Sequence, residues 1–197
     1  MKMFKIILCF FIILFFVSCG NQEFYNISSF IDKYNNISSY SIDISDFHLT
    51  SPDSPQYTAV LGSYSNEILL SLKSNNANDI EEINLSLIKE SAKNIPQEQV
   101  DFFISSIIYT LMTYCNFEYS NACEIIESFN LTNFNTLQKE GELTLKKGNF
   151  YFIYYSTNLI CQFKVYNTYL KQIETTEKPV SKPYYAEDFI IKDKETP

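Results

Sequence analysis

The densest group of side chains able to move a proton or attack a carbonyl lies around the only histidine. His48 has Asp43, Asp46, Ser51 and Asp53 as close sequence neighbours, so a Ser-His-Asp hydrolase can be written on this stretch. Triad members normally come from separate loops aimed at one point, and no Gly-x-Ser-x-Gly nucleophile turn is present. His48 is therefore expected as a solvated loop residue, with an envelope hydrolase using His48 and the nearby acids as the alternative function. The same acids lack the spacing and central glycine of a calcium loop, so no metal site is expected. Glu81 and Glu82 point to opposite faces if their segment is a strand. Glu124 and Glu127 share one helix face, which reads as a solvated surface unless a partner carboxylate stands across a cleft. With four glycines in the chain there is no Gly-rich loop to cradle phosphate, and no cofactor is expected.

Composition narrows the function classes further. The chain has 197 residues, 46% hydrophobic and 19% charged, enough for one domain with its own core. Fifteen lysines and no arginine stand against 23 acids, for a net charge of −8. Nucleic acid is disfavoured as a partner, because clustered cations and the guanidinium fork are missing. One histidine rules out a multi-histidine zinc centre within the chain, and the absence of tryptophan removes a common sugar-binding platform. Aromatic side chains make up 16% of the chain and concentrate in Phe150-Tyr151-Phe152-Ile153-Tyr154-Tyr155. A strand there has two apolar faces. One is expected to meet helices, and the other, carrying Tyr151 and Tyr155, to lie under another segment or to form a contact surface for a protein partner. The sequence does not identify a small-molecule ligand.

At the N-terminus, Lys2 and Lys5 precede twelve apolar residues, Ile6 to Val17, and then Ser18-Cys19-Gly20. The run is shorter than the 18 to 20 residues that span a bilayer and has the pattern of a signal peptide. Val17-Ser18-Cys19-Gly20 resembles the lipobox of bacterial lipoproteins, with Phe16 where that family usually has leucine. The resemblance implies that Cys19 is alkylated with diacylglycerol, that cleavage precedes it, and that the protein is held on the membrane by acyl chains such as palmitate. It also implies an exported protein, at the outer membrane if the cell has two and otherwise on the outer face of the plasma membrane. Cleavage would remove Lys2 and Lys5 and leave 13 lysines against 23 acids, a charge of −10. Of the five cysteines, Cys115, Cys123 and Cys161 would then remain. Cys115 and Cys123 are placed so that a disulfide is conceivable, and burial of all three as small hydrophobes is the favoured reading.

The elements that must position these residues follow from periodicity. Residues 1–18 read as the signal peptide, 19–40 as the lipidated cysteine and a polar tether ending in an edge strand or short helix, 41–167 as one domain, and 168–197 as a polar, flexible tail. Ser41 to Ser45 alternates and can start the sheet before the Thr50-to-Pro55 loop. Strands are expected at Tyr57 to Ser63, Glu67 to Lys73 and Ile83 to Leu87. A long helix follows Pro96, with a stripe from Val100 through Phe103, Ile104, Ile107, Ile108, Leu111 and Met112 to Cys115. A shorter helix runs from about Ser120 to Asn130. Strands at Glu142 to Lys146, Phe150 to Tyr155 and Leu159 to Tyr166 complete a meander. The expected fold is α+β: an antiparallel sheet of about six strands with a two-helix layer on one face, in the order strands-helix-helix-strands. The most economical function is a lipid-anchored envelope protein whose domain is a non-catalytic binding module.

Overall fold

The computed structural model describes residues 25–51, 55–62, 67–89 and 95–170. The expected signal peptide, Cys19, Asp53 and the residues beyond Leu170 lie outside them. The fold is α+β, with a seven-stranded antiparallel sheet. In chain order the elements are α1 (Ile27–Ile37), a 3-10 turn (Ile44–Asp46), β1 (His48–Ser51), β2 (Gln56–Leu61), β3 (Ile68–Ser74), β4 (Ile80–Ile88), α2 (Gln97–Tyr114), α3 (Tyr119–Ser128), α4 (Phe134–Gln138), β5 (Gly141–Lys147), β6 (Phe150–Ser156) and β7 (Ile160–Asn167). The strands lie side by side as β1-β2-β3-β4-β7-β6-β5.

Two expectations need correction. The sheet has seven strands rather than six, because His48–Ser51 is a four-residue edge strand paired with β2 instead of a loop. Its brevity and the prolines at 52 and 55 hide it from any periodicity test. The element order also begins with a helix. Residues 27–37, expected within a tether ending in an edge strand or short helix, form the full helix α1, capped by the Asn26 side chain, which accepts a hydrogen bond from the Ser29 N–H at 2.9 Å. Phe30, Ile31 and Tyr34 stack on one face of α1 and are buried in the core. The segment from Ser41 to Ser45, which alternates like a strand, leads into the 3-10 turn.

α1 packs across α2, and this contact explains why α2 is buried over a wider arc than its apolar stripe. Tyr34 meets Tyr109 edge-on at 6.2 Å, Tyr40 meets Phe102 at 4.4 Å, and Lys33 Nζ donates to Asn116 Oδ1 at 2.8 Å. Ser106, Thr110 and Thr113 are fully buried, whereas Ile104 and Met112 of the expected stripe are only partly so. Tyr114 Oη donates to the Ile80 carbonyl at 2.9 Å, and the Ile80 N–H donates to the Tyr25 carbonyl at 2.8 Å, joining α2, β4 and the start of α1.

The helices cover one face of the sheet. Phe117 lies 6.2 Å from Phe152, Phe129 meets Phe163 edge-on at 5.8 Å, and Tyr114 meets Phe150 at 5.6 Å. Register carries this face across the strands, from Ala59 through Leu70, Leu85 and Phe163 to Tyr154. All five are buried. β5 and β6 are joined by the two-residue turn Gly148-Asn149, with Gly148 at φ 61°, a left-handed conformation that glycine adopts without a Cβ clash.

Candidate functional site

The sheet face away from the helices is the candidate site. Because side chains alternate, its composition follows from the same strands that build the core. One cross-strand row runs Thr58, Ser71, Asn84, Lys164, Ile153, Thr144, and His48 extends it beyond β2. The next runs Val60, Leu69, Ser86, Gln162, Tyr155, Glu142. Many of the polar groups bond laterally: Thr58 with Ser71 at 3.2 Å, Gln162 Nε2 to Ser86 Oγ at 3.2 Å, and Lys164 with Glu82 at 3.0 Å. Asn84 Oδ1 is shielded from solvent with no hydrogen-bond partner among the described residues.

Tyr151 and Tyr155 both stand on this face. Tyr155 is 40% exposed, whereas Tyr151 is half-buried against Tyr166 with ring centroids 5.2 Å apart. Burial, then Tyr151 and Glu82, push the Tyr166 hydroxyl above its usual pKa, so it is a neutral hydrogen-bonding group at physiological pH. Tyr166 was not singled out by sequence. It becomes a neighbour of Tyr151 only once β6 and β7 are in register.

At the β1 edge the same face is indented. Ser45, Asp46, His48, Thr50, Thr58 and Val60 line a hollow of about 410 Å³. The structure thus brings His48 and Asp46 to one cavity, yet the neighbouring groups are engaged in holding the 3-10 turn. Asp43 accepts from the Ser45 N–H at 2.8 Å and from Ser45 Oγ at 2.7 Å, and Asp46 Oδ2 accepts from the Asp43 N–H at 2.9 Å. Those Ser45 hydrogen bonds hold the Asp43 carboxyl below its usual pKa. His48 is exposed on a strand, and its imidazole has no hydrogen bond to a described residue. Ser51 belongs to the same strand, β1.

Three of the remaining acids are engaged in separate ion pairs. Glu81 is buried in an ion pair with Lys73, Glu82 pairs with Lys164, and Glu124 pairs with Lys147 at 2.8 Å. Among the described residues no three histidine, cysteine or acidic side chains are grouped to hold a metal. Cys115, Cys123 and Cys161 are free thiols, the first and last buried, and burial pushes the Cys115 thiol well above its usual pKa.

One cluster escaped the sequence reading because its members are far apart in the chain. Lys89 is buried, and its amine donates to the Leu137 carbonyl at 2.8 Å, the Ser156 hydroxyl at 2.9 Å and the Thr157 carbonyl at 2.6 Å. A lysine beside a serine has the chemistry of a nucleophile and base. Ser156 is only 1% exposed, however, and its hydroxyl also donates to the Leu137 carbonyl at 3.0 Å. The cluster ties the end of α4 to β4 and β6.

Comparison with protein-family models, curated proteins and solved structures finds no match to this chain. Among the described residues no helix is long and apolar enough to cross a membrane.

Proposed function

We propose that the protein is a lipid-anchored bacterial envelope protein, held in the membrane through acyl chains on Cys19, whose α+β domain binds a protein partner without turning it over. The observation that carries the reading is Val17-Ser18-Cys19-Gly20 at the end of a twelve-residue apolar run preceded by two lysines. On this reading the partner meets the open sheet face, where exposed Tyr155 and Val60 supply apolar area between hydrogen-bonding side chains. A basic partner suits the acidic chain. The domain works at the outer membrane where the cell has two membranes, and otherwise outside the plasma membrane.

The mass of the mature N-terminus, measured on the protein expressed with its own leader in a bacterial host, tests the anchor. An acylated N-terminus at Cys19, lost in Cys19→Ala, is the expected result. A product cleaved elsewhere with a free Cys19 thiol would overturn it. The second reading, a hydrolase on His48, is favoured only by the hollow that His48 shares with Asp46. Ser45 Oγ donates to Asp43 and so is not poised as a nucleophile on the imidazole. The hydrolase reading requires that His48→Ala abolish an activity; the binding reading requires that partner capture survive the change.

A further inference from the structure

The sheet ends at β5, whose sequence is Gly141-Glu142-Leu143-Thr144-Leu145-Lys146-Lys147. Residues 141–144 are exposed, with Leu143 at 44%, and neither Glu142 nor Lys146 has an ion-pair partner among the described residues. An edge strand carries a row of backbone donors and acceptors, and lysines on such an edge commonly block unwanted pairing. Here a glutamate four residues before Lys146 gives the edge a different property: about Thr144, the segment Glu142-Leu143-Thr144-Leu145-Lys146 is palindromic in polarity and self-complementary in charge.

Backbone geometry allows that symmetry to be used. Because Gly148-Asn149 is a two-residue turn, Lys147 and Phe150 exchange ladder hydrogen bonds, and the antiparallel alternation then fixes the rest of β5. Leu143 and Leu145 direct their N–H and C=O groups to β6, while Glu142, Thr144 and Lys146 direct theirs to the free edge. We propose that β5 is a self-association edge, where a second copy of this chain pairs antiparallel about a twofold axis at Thr144 and joins two seven-stranded sheets into one. In this register Thr144 exchanges hydrogen bonds with its symmetry mate, and Glu142 of each copy exchanges them with Lys146 of the other. Their side chains form two cross-strand ion pairs on the open face. Leu143 of each copy meets Leu145 of the other on the helix side, where antiparallel non-hydrogen-bonded positions come closest. Shifting the axis to Glu142 or Lys146 sets like charges opposite one another. Shifting it to Leu143 or Leu145 leaves Glu142 without a lysine opposite. Charge therefore selects the Thr144 register and a closed, isologous dimer.

The test uses the full chain, expressed with its own leader and extracted from membranes in detergent. Thr144→Cys is expected to give a reducible dimer under mild oxidation, since residues paired across such a ladder lie within disulfide reach, and the parent chain is the control for its native cysteines. Sedimentation velocity is expected to show a monomer–dimer equilibrium that Glu142→Lys weakens about tenfold by facing lysine with lysine twice, and that Glu142→Lys/Lys146→Glu restores. A parent chain that stays monomeric throughout, a dimer indifferent to Glu142→Lys, or a double variant that fails to recover would each overturn the proposal. Recovery in the double variant also separates lost association from lost folding.

Discussion

The two faces of the sheet are made by alternate residues of the same strands, and they differ in what holds their side chains in place. On the covered face Phe152, Tyr154, Phe163, Leu70 and Leu85 are almost fully buried against helices. On the open face Thr58, Ser71, Ser86 and Gln162 bond to one another along the rows, with Tyr155 and Val60 left exposed among them. Burial of apolar area makes the first face the source of stability. The second is a surface with its own polar order, on which side chains can change with little effect on folding. Tyr154 and Tyr155 put the contrast in two consecutive residues: burial pushes the Tyr154 hydroxyl well above its usual pKa, while Tyr155 stands in solvent.

Substitutions on the two faces should separate accordingly. Phe152→Ala, which removes a ring packed near Phe117 and Phe163, is expected to cost about 3–5 kcal/mol in urea unfolding. A cost under about 1 kcal/mol would mean that this face is not the core. Lys89→Met keeps the length of a buried side chain but strips its hydrogen bonds to Leu137, Ser156 and Thr157, and should cost about 2 kcal/mol. The sign should reverse at Thr113, whose buried hydroxyl has no partner among the described residues. Thr113→Val is expected to raise the urea midpoint by the equivalent of about 1 kcal/mol with an unchanged slope. Tyr155→Ala should change stability least, by about 0.5 kcal/mol or less, while reducing capture of a partner that docks on the open face.

Sequence pattern made the covered face legible wherever apolar residues repeat at a single period. β3, β4, β7, α2 and α3 each declare themselves in this way, β6 declares itself as an unbroken run of aromatic and apolar residues, and the antiparallel α+β architecture follows from their order. α1 could be read only as the end of a tether, either edge strand or short helix, because its apolar residues, Phe30, Ile31 and Tyr34, are few and set among serine and asparagine. Ser106, Thr110 and Thr113 are buried although they fall outside the apolar stripe of α2, which periodicity alone does not announce. α4 is five residues long, and β1 is four, too short for either period to show.

The candidate site was legible as chemistry but not as place. Tyr151 and Tyr155 could be assigned to one face by alternation, whereas their neighbours Tyr166, Gln162 and Val60 depend on register between strands distant in the chain. His48 and Asp46 do share a hollow, although Ser45 and Asp43 act there as a cap for the 3-10 turn. The Lys89 cluster combines residues 48 and 67 positions apart, and no local pattern could announce it.

The contrast between the two faces is sharpest at Tyr154 and Tyr155. Limited nitration of the folded protein in isolated membranes, read out residue by residue by fragment mass spectrometry, measures that difference directly. The prediction is that Tyr155 is modified early and Tyr154 only after unfolding. Equal modification of the two, or early modification of Tyr154 with Tyr155 protected, would contradict the division of the sheet into a covered face and an open one.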